Sequence, residues 1–292
     1  MVFKGTQLIA LYPVFIQKQG IITVALSPPS RSYMLYLGPV LMDYDSLKQD
    51  KKESIYNQVQ EEVDKYIFET TGCKYARIRS SPGLYDSRPL KWAGYVIEPL
   101  YTYRIDLTLG IDQVWEQFDR KLRGEINKAV RDGVTVRYGN DEDLEFIHDS
   151  LFTRYRKQGF RPFDNKKYLH AIYRKFYPDN LKIFVAEYKG QTIGGTINLC
   201  YKNIMYLWVG IPKSDLVGIS PNALVQWEAI QWAQKNGLEY YEEMEAGDDP
   251  RLIHFKAKYN PDLVIWYSAV KYSSWIYKAG EALFNFVRKR GD

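Results

Sequence analysis

Lys256, in the stretch "HFKAKYNP", is the residue whose type and setting most suggest chemistry. It follows an aromatic residue and is predicted to lie in a loop between two strands. A lysine ammonium at such a place could stabilise the negative charge that develops on a carbonyl oxygen when an amine attacks it. The alternative is a solvated surface lysine. Glu243, Glu245 and Asp248 precede it as candidate bases for the amine, or else as a solvated acidic edge.

A second group of side chains could hold an anionic or aromatic substrate. Arg154, Arg156 and Arg161 lie in "TRYRKQGFRP" and could grip phosphate through their planar guanidinium groups. For each arginine a solvated position is the alternative. Tyr206 and Trp208 point to the same side of one predicted strand, where they either line a groove or pack in a core.

The stretch "KLRGEINKAVRDGVTVRYG" predicts an amphipathic helix. At about 3.6 residues per turn, one face is apolar and consists of Leu122, Ile126, Ala129 and Val130. Another face, the basic stripe, consists of Arg120, Arg123, Asn127 and Arg131. The basic stripe either faces water, as most charged helix faces do, or clamps an anion.

The elements that must position these residues read as two copies of one unit. In the second half, two helices precede the strands "KIFVAEY", "IGGTINLCY" and "IMYLWVGI", which alternate as an antiparallel meander. Ser220 caps a further helix with Pro221 at its first position, and the strand "LEYYEEMEA", a loop and the strand "LVIWYSAV" follow. The first half repeats this order from "TQLIALYPVFI" through "YMLYLGPVL" to "YVIEPL". Because Ala93 stands there in place of Lys256, we expect one working lobe and one supporting lobe.

The repeat predicts an α/β (α+β) protein with two tandem lobes and mixed, largely antiparallel sheets. The first lobe is predicted over residues 1–110, a basic connecting helix over 111–140, and the second lobe with an amphipathic C-terminal helix over 141–292. The second copy opens with two helices that the first copy lacks. We therefore expect roughly 40 further residues at the N-terminus of the natural protein, unless this is a genuine short form.

Composition and missing motifs limit the classes of reaction that the protein could catalyse. The net charge of +5 over 292 residues permits an acidic partner such as a nucleic acid without demanding one. Two distant cysteines and three scattered histidines predict no disulfide framework and no metal site. The sequence has no phosphate-binding loop, no nucleophile elbow and no apolar run of the ~20 residues that span a bilayer. What remains is direct transfer, in which an acceptor amine attacks the carbonyl of a bound donor.

The ordered set of motifs resembles a known family. The runs "RKLRGEINKAVRDGVTV", "RYRKQGF", "GGTINL", "SPNALVQWEAIQWAQKNGLEYYE" and "HFKAKYNP" together resemble the Fem family, the aminoacyltransferases that build peptidoglycan interpeptide bridges. The resemblance covers nearly the whole chain. It implies two lobes of GCN5-related N-acetyltransferase (GNAT) type, an aminoacyl-tRNA donor and an amine acceptor on a muramyl-peptide precursor. It also implies that neither a metal nor a covalent enzyme intermediate takes part.

The resemblance also assigns residues. Phe255 and Lys256 match the family's Phe-Lys pair, whose lysine is credited with stabilising the transfer intermediate. The helix around Arg123 and Lys128 matches the signature helix, and "RKQGF" matches a segment near the precursor site. The predicted substrate-binding residues are Arg123, Lys128, Arg156, Arg161, Tyr206 and Glu245. The sequence departs from the family in its "YYEEMEAG", which replaces Y-D-F-x-G, and in lacking the helical arm and the N-terminal precursor-binding segment.

The sequence thus predicts a cytoplasmic N-acyltransferase of Fem type that needs no cofactor. Its expected partners are aminoacyl-tRNA and a cell-envelope precursor with an acceptor amine, and peripheral membrane contact is one interpretation of the C-terminal helix. A GNAT enzyme that uses acyl-coenzyme A is an alternative, although no glycine-rich turn precedes the helix at Ser220. The other alternative is a non-catalytic module that binds an anionic glycolipid or RNA, with strong salt dependence and no turnover.

Overall fold

The computed structural model describes residues 1–30, 32–157, 159, 166–210, 218–244, 247 and 249–277. Two compact units make up the chain. Unit 1 comprises Met1–Tyr101 and the described residues from Ile265 on, and unit 2 comprises Thr102–Val264. The predicted boundaries at residues 110 and 140 do not coincide with this division. All but the first residues of the predicted C-terminal helix lie outside the described part of the chain.

Unit 1 is built on two small sheets. Its elements are β1 (Val2–Lys4), β2 (Gln7–Leu11), β3 (Phe15–Gln19), β4 (Ile22–Ser27), β5 (Val40–Leu41), α1 (Gln49–Asp64), β6 (Tyr75–Arg79), α2 (Arg88–Trp92), the start of β7 (Val96–Asp106) and most of β13 (Asp262–Tyr272). A π-helical segment, Lys65–Thr70, continues α1, and a 3₁₀ turn covers Tyr44–Ser46. The strand orders are β1-β2-β5 and β3-β4-β6-β13. Among the described strand pairs within unit 1, β4 with β6 is the parallel one.

Prolines lie where two strand predictions for unit 1 fail. The predicted strand "TQLIALYPVFI" is two strands, β2 and β3, which are interrupted around Pro13. The predicted strand "YMLYLGPVL" is wrong over most of its length, because within it only Val40–Leu41 forms a strand. Pro39 directly precedes that strand, and a proline has no backbone N–H to donate to a ladder. The unit 1 core lies under α1 and includes the fully buried Tyr56.

Unit 2 is a six-stranded sheet with helices. Its elements are the end of β7, α3 (Ile111–Gln117), α4 (Arg120–Arg131), β8 (Thr135–Tyr138), α5 (Asp141–Lys157), α6 (Lys166–Phe176), β9 (Leu181–Tyr188), β10 (Gln191–Tyr201), β11 (Ile204–Gly210), α7 (Asn222–Lys235), β12 (Tyr240–Met244) and α8 (Pro250–Ala257). The strand order is β7-β12-β11-β10-β9-β8. The predicted meander is confirmed, since β9, β10 and β11 pair antiparallel. The β11–β12 pair is parallel.

The basic helix is part of unit 2. Leu122 and Ile126 of α4 are buried in the core of this unit together with residues of α7, and each buried aliphatic side chain of this kind contributes about 1.5–3 kcal/mol. The prediction that Val130 shares the buried face is wrong, because Val130 is 55% exposed. The stretch predicted as a connector, residues 111–140, in fact holds α3, α4 and β8, and β8 pairs with β9.

Two local features determine where the helices α7 and α8 begin. Gly194 of β10 lies so close to the start of α7 that an added Cβ would stand 2.8 Å from Pro221 Cγ, which explains one glycine of "IGGTIN". The predicted loop before β13 contains α8 instead. Asp249 caps α8 by accepting a hydrogen bond from the Arg251 N–H at 2.9 Å, and Pro250 occupies its first position. The structure therefore corrects the prediction that Lys256 lies in a loop.

Candidate active site

The candidate site lies where two parallel strands of unit 2 part. β11 pairs with β12 over Ile204–Tyr206 against Tyr240–Glu242. Beyond these residues the described part of β11 continues to Gly210 with β10 as its partner, and β12 ends at Met244. Met244 has a φ of 60°, in the left-handed region that few residues other than glycine adopt. The main chain of Glu243 and Met244 therefore offers polar groups at the opening that pairing with β11 does not use.

Lys256 reaches this opening from α8. Its side chain is buried, with the residue only 5% exposed. The ammonium donates hydrogen bonds to the main-chain carbonyls of Glu243 and Met244, the latter at 3.0 Å. A buried ammonium is costly unless it is paired and hydrogen-bonded, and here two carbonyl dipoles supply part of that compensation. The cation is thus held at the end of β12 by the backbone that it contacts.

The carboxyl group of Glu243 forms the second part of the site. Glu243 is 1% exposed, and its Oε1 accepts a hydrogen bond from Nε2 of Gln226 on α7. Its Oε2 is fully buried and has no hydrogen-bond partner among the described residues, and neither has the hydroxyl of Tyr259. Burial raises the pKa of Glu243 to about 8, although the Lys256 ammonium and the Gln226 N–H oppose this shift.

A charged row crosses the opposite face of the sheet. Cross-strand register places Tyr206, Glu242 and Arg104 side by side on β11, β12 and β7. Arg104 donates to Glu242 Oε2 from Nη2 at 2.6 Å and from Nε at 3.2 Å, and Glu242 is fully buried. Burial and then the Glu242 charge raise the pKa of Tyr206 to about 12, while Arg104 opposes them. Successive residues of a strand face opposite sides, so Glu242 and Glu243 belong to different environments.

The basic helix α4 is tied to the segment that carries Lys256. Lys258 donates a hydrogen bond to Glu125 of α4 at 2.9 Å. The main-chain N–H of Asp119, which caps α4, donates to the Lys258 carbonyl at 2.8 Å. Lys128 is exposed and bonds Asp132 and the carbonyl of Gly218.

The arginines of the basic stripe form no ion pairs with other described residues. Arg120 and Arg131 are exposed and Arg123 is half-buried. Within the described part of the chain, no ion pair involves these three side chains. A helix face with uncompensated positive charge attracts an anionic partner.

The remaining predicted site residues fall in different places. Phe255 is half-buried on α8, and its ring meets that of Tyr259 edge to face at 5.6 Å. Trp208 is buried and packs against Tyr168, so it belongs to the core. Arg156 is exposed near the end of α5, with its guanidinium 5.4 Å from the ring of Phe152. Arg161, Glu245 and Asp248 lie outside the described residues.

Several residues of the site, among them Gln226, Arg104 and Glu242, are not predicted from the sequence. Gln226 lies among apolar residues on the buried side of α7, and a lone polar residue on such a face is a signal that could have drawn attention to it. Arg104 gives no comparable signal, because its partner Glu242 is 138 residues away in the chain.

The described residues include neither a metal site nor a membrane-spanning helix. Among the described residues, no group of three or more His, Cys, Asp or Glu side chains is arranged to hold a metal ion. No helix in the described ranges is both long and apolar enough to cross a bilayer.

Comparison with known families defines the class of unit 2. The family described as "Acetyltransferase (GNAT) domain" matches residues 116–256, from the end of α3 to Lys256. Unit 2 therefore has a GNAT-type fold. The chain is also 30% identical over 163 residues to the UDP-N-acetylmuramoylpentapeptide-lysine N(6)-alanyltransferase of Weissella viridescens. That match covers 52% of this chain and 47% of the relative, so it spans about half the length of the relative.

Solved structures extend the likeness to the whole fold. The crystal structure of FemX superposes with a TM-score of 0.68 at 12% identity, over 91% of this chain and 86% of that one. The C-terminal domain of a putative lysylphosphatidylglycerol synthetase from Agrobacterium fabrum has a TM-score of 0.60 at 17% identity, over 94% and 84%. The predicted α/β fold with two tandem GNAT-like lobes is confirmed. The resemblance to the Fem family is likewise confirmed.

Proposed function

We propose that this protein is an N-acyltransferase of Fem type. It transfers an aminoacyl group from aminoacyl-tRNA to an amine of a peptidoglycan-like precursor such as a muramyl pentapeptide. Support comes from the GNAT-type domain and from the similarity to an alanyltransferase that acts on UDP-N-acetylmuramoylpentapeptide-lysine. The proposed place of action is the cytoplasm, with peripheral contact to the membrane.

The observation that carries this proposal is the buried ammonium of Lys256 at the parting of β11 and β12. Aminoacyl transfer begins when a neutral amine attacks the ester carbonyl of the donor, and the carbonyl oxygen then becomes an oxyanion. A cation held in place before the reaction stabilises that charge without reorganisation, above all in a site from which water is excluded. The carbonyls of Glu243 and Met244 hold the ammonium in such a way. Phe255, the preceding residue, packs against Tyr259 of the same segment.

The basic stripe supplies a surface for the RNA donor. Its arginines have no ion-pair partners among the described residues, so they can neutralise phosphates and release counterions. Lys128 also belongs to this helix, but its bond to Asp132 leaves it a smaller part in binding. Arg156 and Tyr206 remain proposed substrate contacts, Tyr206 from the face of the sheet that also carries Glu242 and Arg104. The same role for Arg161 and Glu245 remains a prediction from the sequence.

An acyl-coenzyme A donor is the second candidate. The description of the matching family, an acetyltransferase domain, favours it. A coenzyme A pyrophosphate would be expected at the N-terminus of α7, where main-chain N–H groups and the helix dipole attract anions. The described residues that lead into this helix, Gly218 to Pro221, contain a single glycine.

Equilibrium binding distinguishes the two donors. Filter binding would compare alanyl-tRNA with uncharged tRNA, and calorimetry would measure acetyl-coenzyme A with the same preparation of protein. The proposal predicts tighter binding of the charged tRNA and no saturable binding of acetyl-coenzyme A. Binding of acetyl-coenzyme A alone would assign the protein to the second candidate function. Equal binding of charged and uncharged tRNA would favour a non-catalytic RNA-binding module.

A further inference from the structure

Glu243 occupies a position that no other carboxylate of the described site shares. It is the first residue of β12 beyond the last residue paired with β11, and its side chain turns toward α7. The neighbouring Glu242 faces the other side of the sheet and is held by two hydrogen bonds from Arg104. Glu242 is therefore engaged in a compensated ion pair. Glu243 is the carboxylate beside the Lys256 ammonium.

The two oxygens of Glu243 differ in their surroundings. Oε1 accepts a hydrogen bond from Gln226, which fixes the orientation of the carboxyl group. Oε2 is buried and has no hydrogen-bond partner in the described ranges. Buried acceptors in folded proteins are nearly always bonded, so an unbonded one requires an explanation, and a functional role is one such explanation. An oxygen with a free lone pair at the parting of the strands can accept a proton.

The titratable groups around Glu243 are compatible with a role for its carboxyl group as a general base. From α8 comes the Lys256 ammonium, from β12 itself the phenol of Tyr241, and from the segment after α8 the phenol of Tyr259. α7 contributes only the neutral amide of Gln226. Burial raises the pKa of this carboxyl group toward neutrality, where a group takes up and returns protons most effectively.

We propose that Glu243 is the general base of the transfer and that Gln226 is its positioning residue. This inference rests on the proposed function. The acceptor nitrogen attacks the ester carbonyl and forms the new C–N bond, while the electron pair of the carbonyl double bond moves to the oxygen. The Lys256 ammonium stabilises the resulting oxyanion. The nitrogen, now positively charged, gives its proton to Oε2 of Glu243. When the oxyanion collapses, the C–O ester bond breaks, the tRNA oxygen leaves with that proton and the carboxylate is restored.

The test is the pH dependence of transfer by the full chain. Alanyl-tRNA and UDP-N-acetylmuramoyl pentapeptide serve as substrates, and kcat and KM are measured from about pH 6 to about pH 9. Glu243→Gln is expected to lower kcat by about 10²–10⁴-fold with little change in KM and to abolish the limb of the profile on the acid side. In Glu243→Ala, added formate is expected to restore part of the rate, because a small carboxylate can replace the missing base.

Gln226→Leu tests the positioning role. The Gln226 N–H stabilises the charged carboxylate, so its removal is expected to move the acid limb to higher pH while KM stays unchanged. Gln231→Leu, on the same helix, is the matched control and is expected to leave the profile unaltered. Circular dichroism and binding of charged tRNA identify variants that retain their fold. Should Glu243→Gln fail to fold, the Gln226→Leu profile decides.

The outcomes separate this inference from the proposed function. Transfer by the wild-type protein together with an unchanged rate and profile in Glu243→Gln would overturn the assignment of the base and leave the transferase function intact. An unshifted profile in Gln226→Leu would overturn its positioning role. No transfer by the wild-type protein would overturn the proposed function, and this inference with it.

Discussion

Replacing Lys256 by methionine removes the charge that the proposed mechanism needs and keeps most of the volume of the side chain. In the wild-type protein, the Lys256 ammonium donates to two main-chain carbonyls and lies close enough to Glu243 to oppose the rise in the pKa of that carboxyl group. Loss of one preorganised stabiliser of an oxyanion lowers kcat by about 10²–10³-fold, which corresponds to about 2.7–4 kcal/mol. We expect a loss of this size in Lys256→Met.

The same substitution also affects folding. Methionine cannot donate a hydrogen bond, so the main-chain carbonyls of Glu243 and Met244 lose their partner, at a cost of about 1–3 kcal/mol for an acceptor that is left buried and unbonded. Urea unfolding would measure this cost, and transfer would be assayed where the variant is fully folded. Lys258→Met is the matched control, since Lys258 forms an ion pair with Glu125, whose side chain is 41% exposed. A pair of this kind is worth about 0–1 kcal/mol.

The assay is transfer of labelled alanine from alanyl-tRNA to a muramyl pentapeptide, with kcat and KM determined separately. The expected pattern is a fall in kcat for Lys256→Met, near-normal kinetics for Lys258→Met and a similar KM for both. A folded Lys256→Met protein with full transfer activity would refute the role assigned to this ammonium. A loss confined to KM would also refute it, because that pattern indicates removal of uniform binding.

Three further changes have defined outcomes. Replacement of the three arginines of the basic stripe by glutamine should weaken binding of charged tRNA and reduce the slope of log K against log salt concentration by about 2 to 3, whereas an unchanged slope would remove the stripe from the interface. Arg104→Met leaves the buried Glu242 uncompensated and should lower the free energy of unfolding by about 3–5 kcal/mol in urea titration; a change below about 1 kcal/mol would contradict this account of the pair. Because the folded state holds the Glu243 proton up to about pH 8 and the unfolded state releases it near 4.5, wild-type stability falls over that range. Glu243→Gln should therefore gain stability relative to wild type as pH rises to about 8, and a constant difference in melting temperature would contradict the raised pKa.

Local sequence patterns predict many of the helices and strands of unit 2. The basic helix has apolar residues at helical spacing, and the strands β9 to β11 alternate and end at turns, so their existence followed from periodicity. Val130 was misplaced because it stands at the edge of the apolar face, where the neighbouring helix decides burial. In unit 1, two runs that have the composition of strands contain a proline, and neither forms one continuous strand.

The site was only partly predictable. The sequence singles out Lys256 because its type differs from Ala93 at the matching place of the repeat. The prediction of a loop around Lys256 overlooks Asp249 and Pro250, which form a helix start signal. The pairing of Arg104 with Glu242 depends on which strands become neighbours. That information is contained in tertiary contacts rather than in any short segment. The same is true of the contact between Gln226 and Glu243.

Transfer itself tests the central claim most directly. Purified protein would be incubated with labelled alanyl-tRNA and UDP-N-acetylmuramoyl pentapeptide, and the product would be identified by mass spectrometry, with acetyl-coenzyme A supplied in a parallel reaction. The account predicts a pentapeptide that carries one added aminoacyl group in amide linkage, together with uncharged tRNA. An acetylated pentapeptide in the parallel reaction, with no product from alanyl-tRNA, would contradict it.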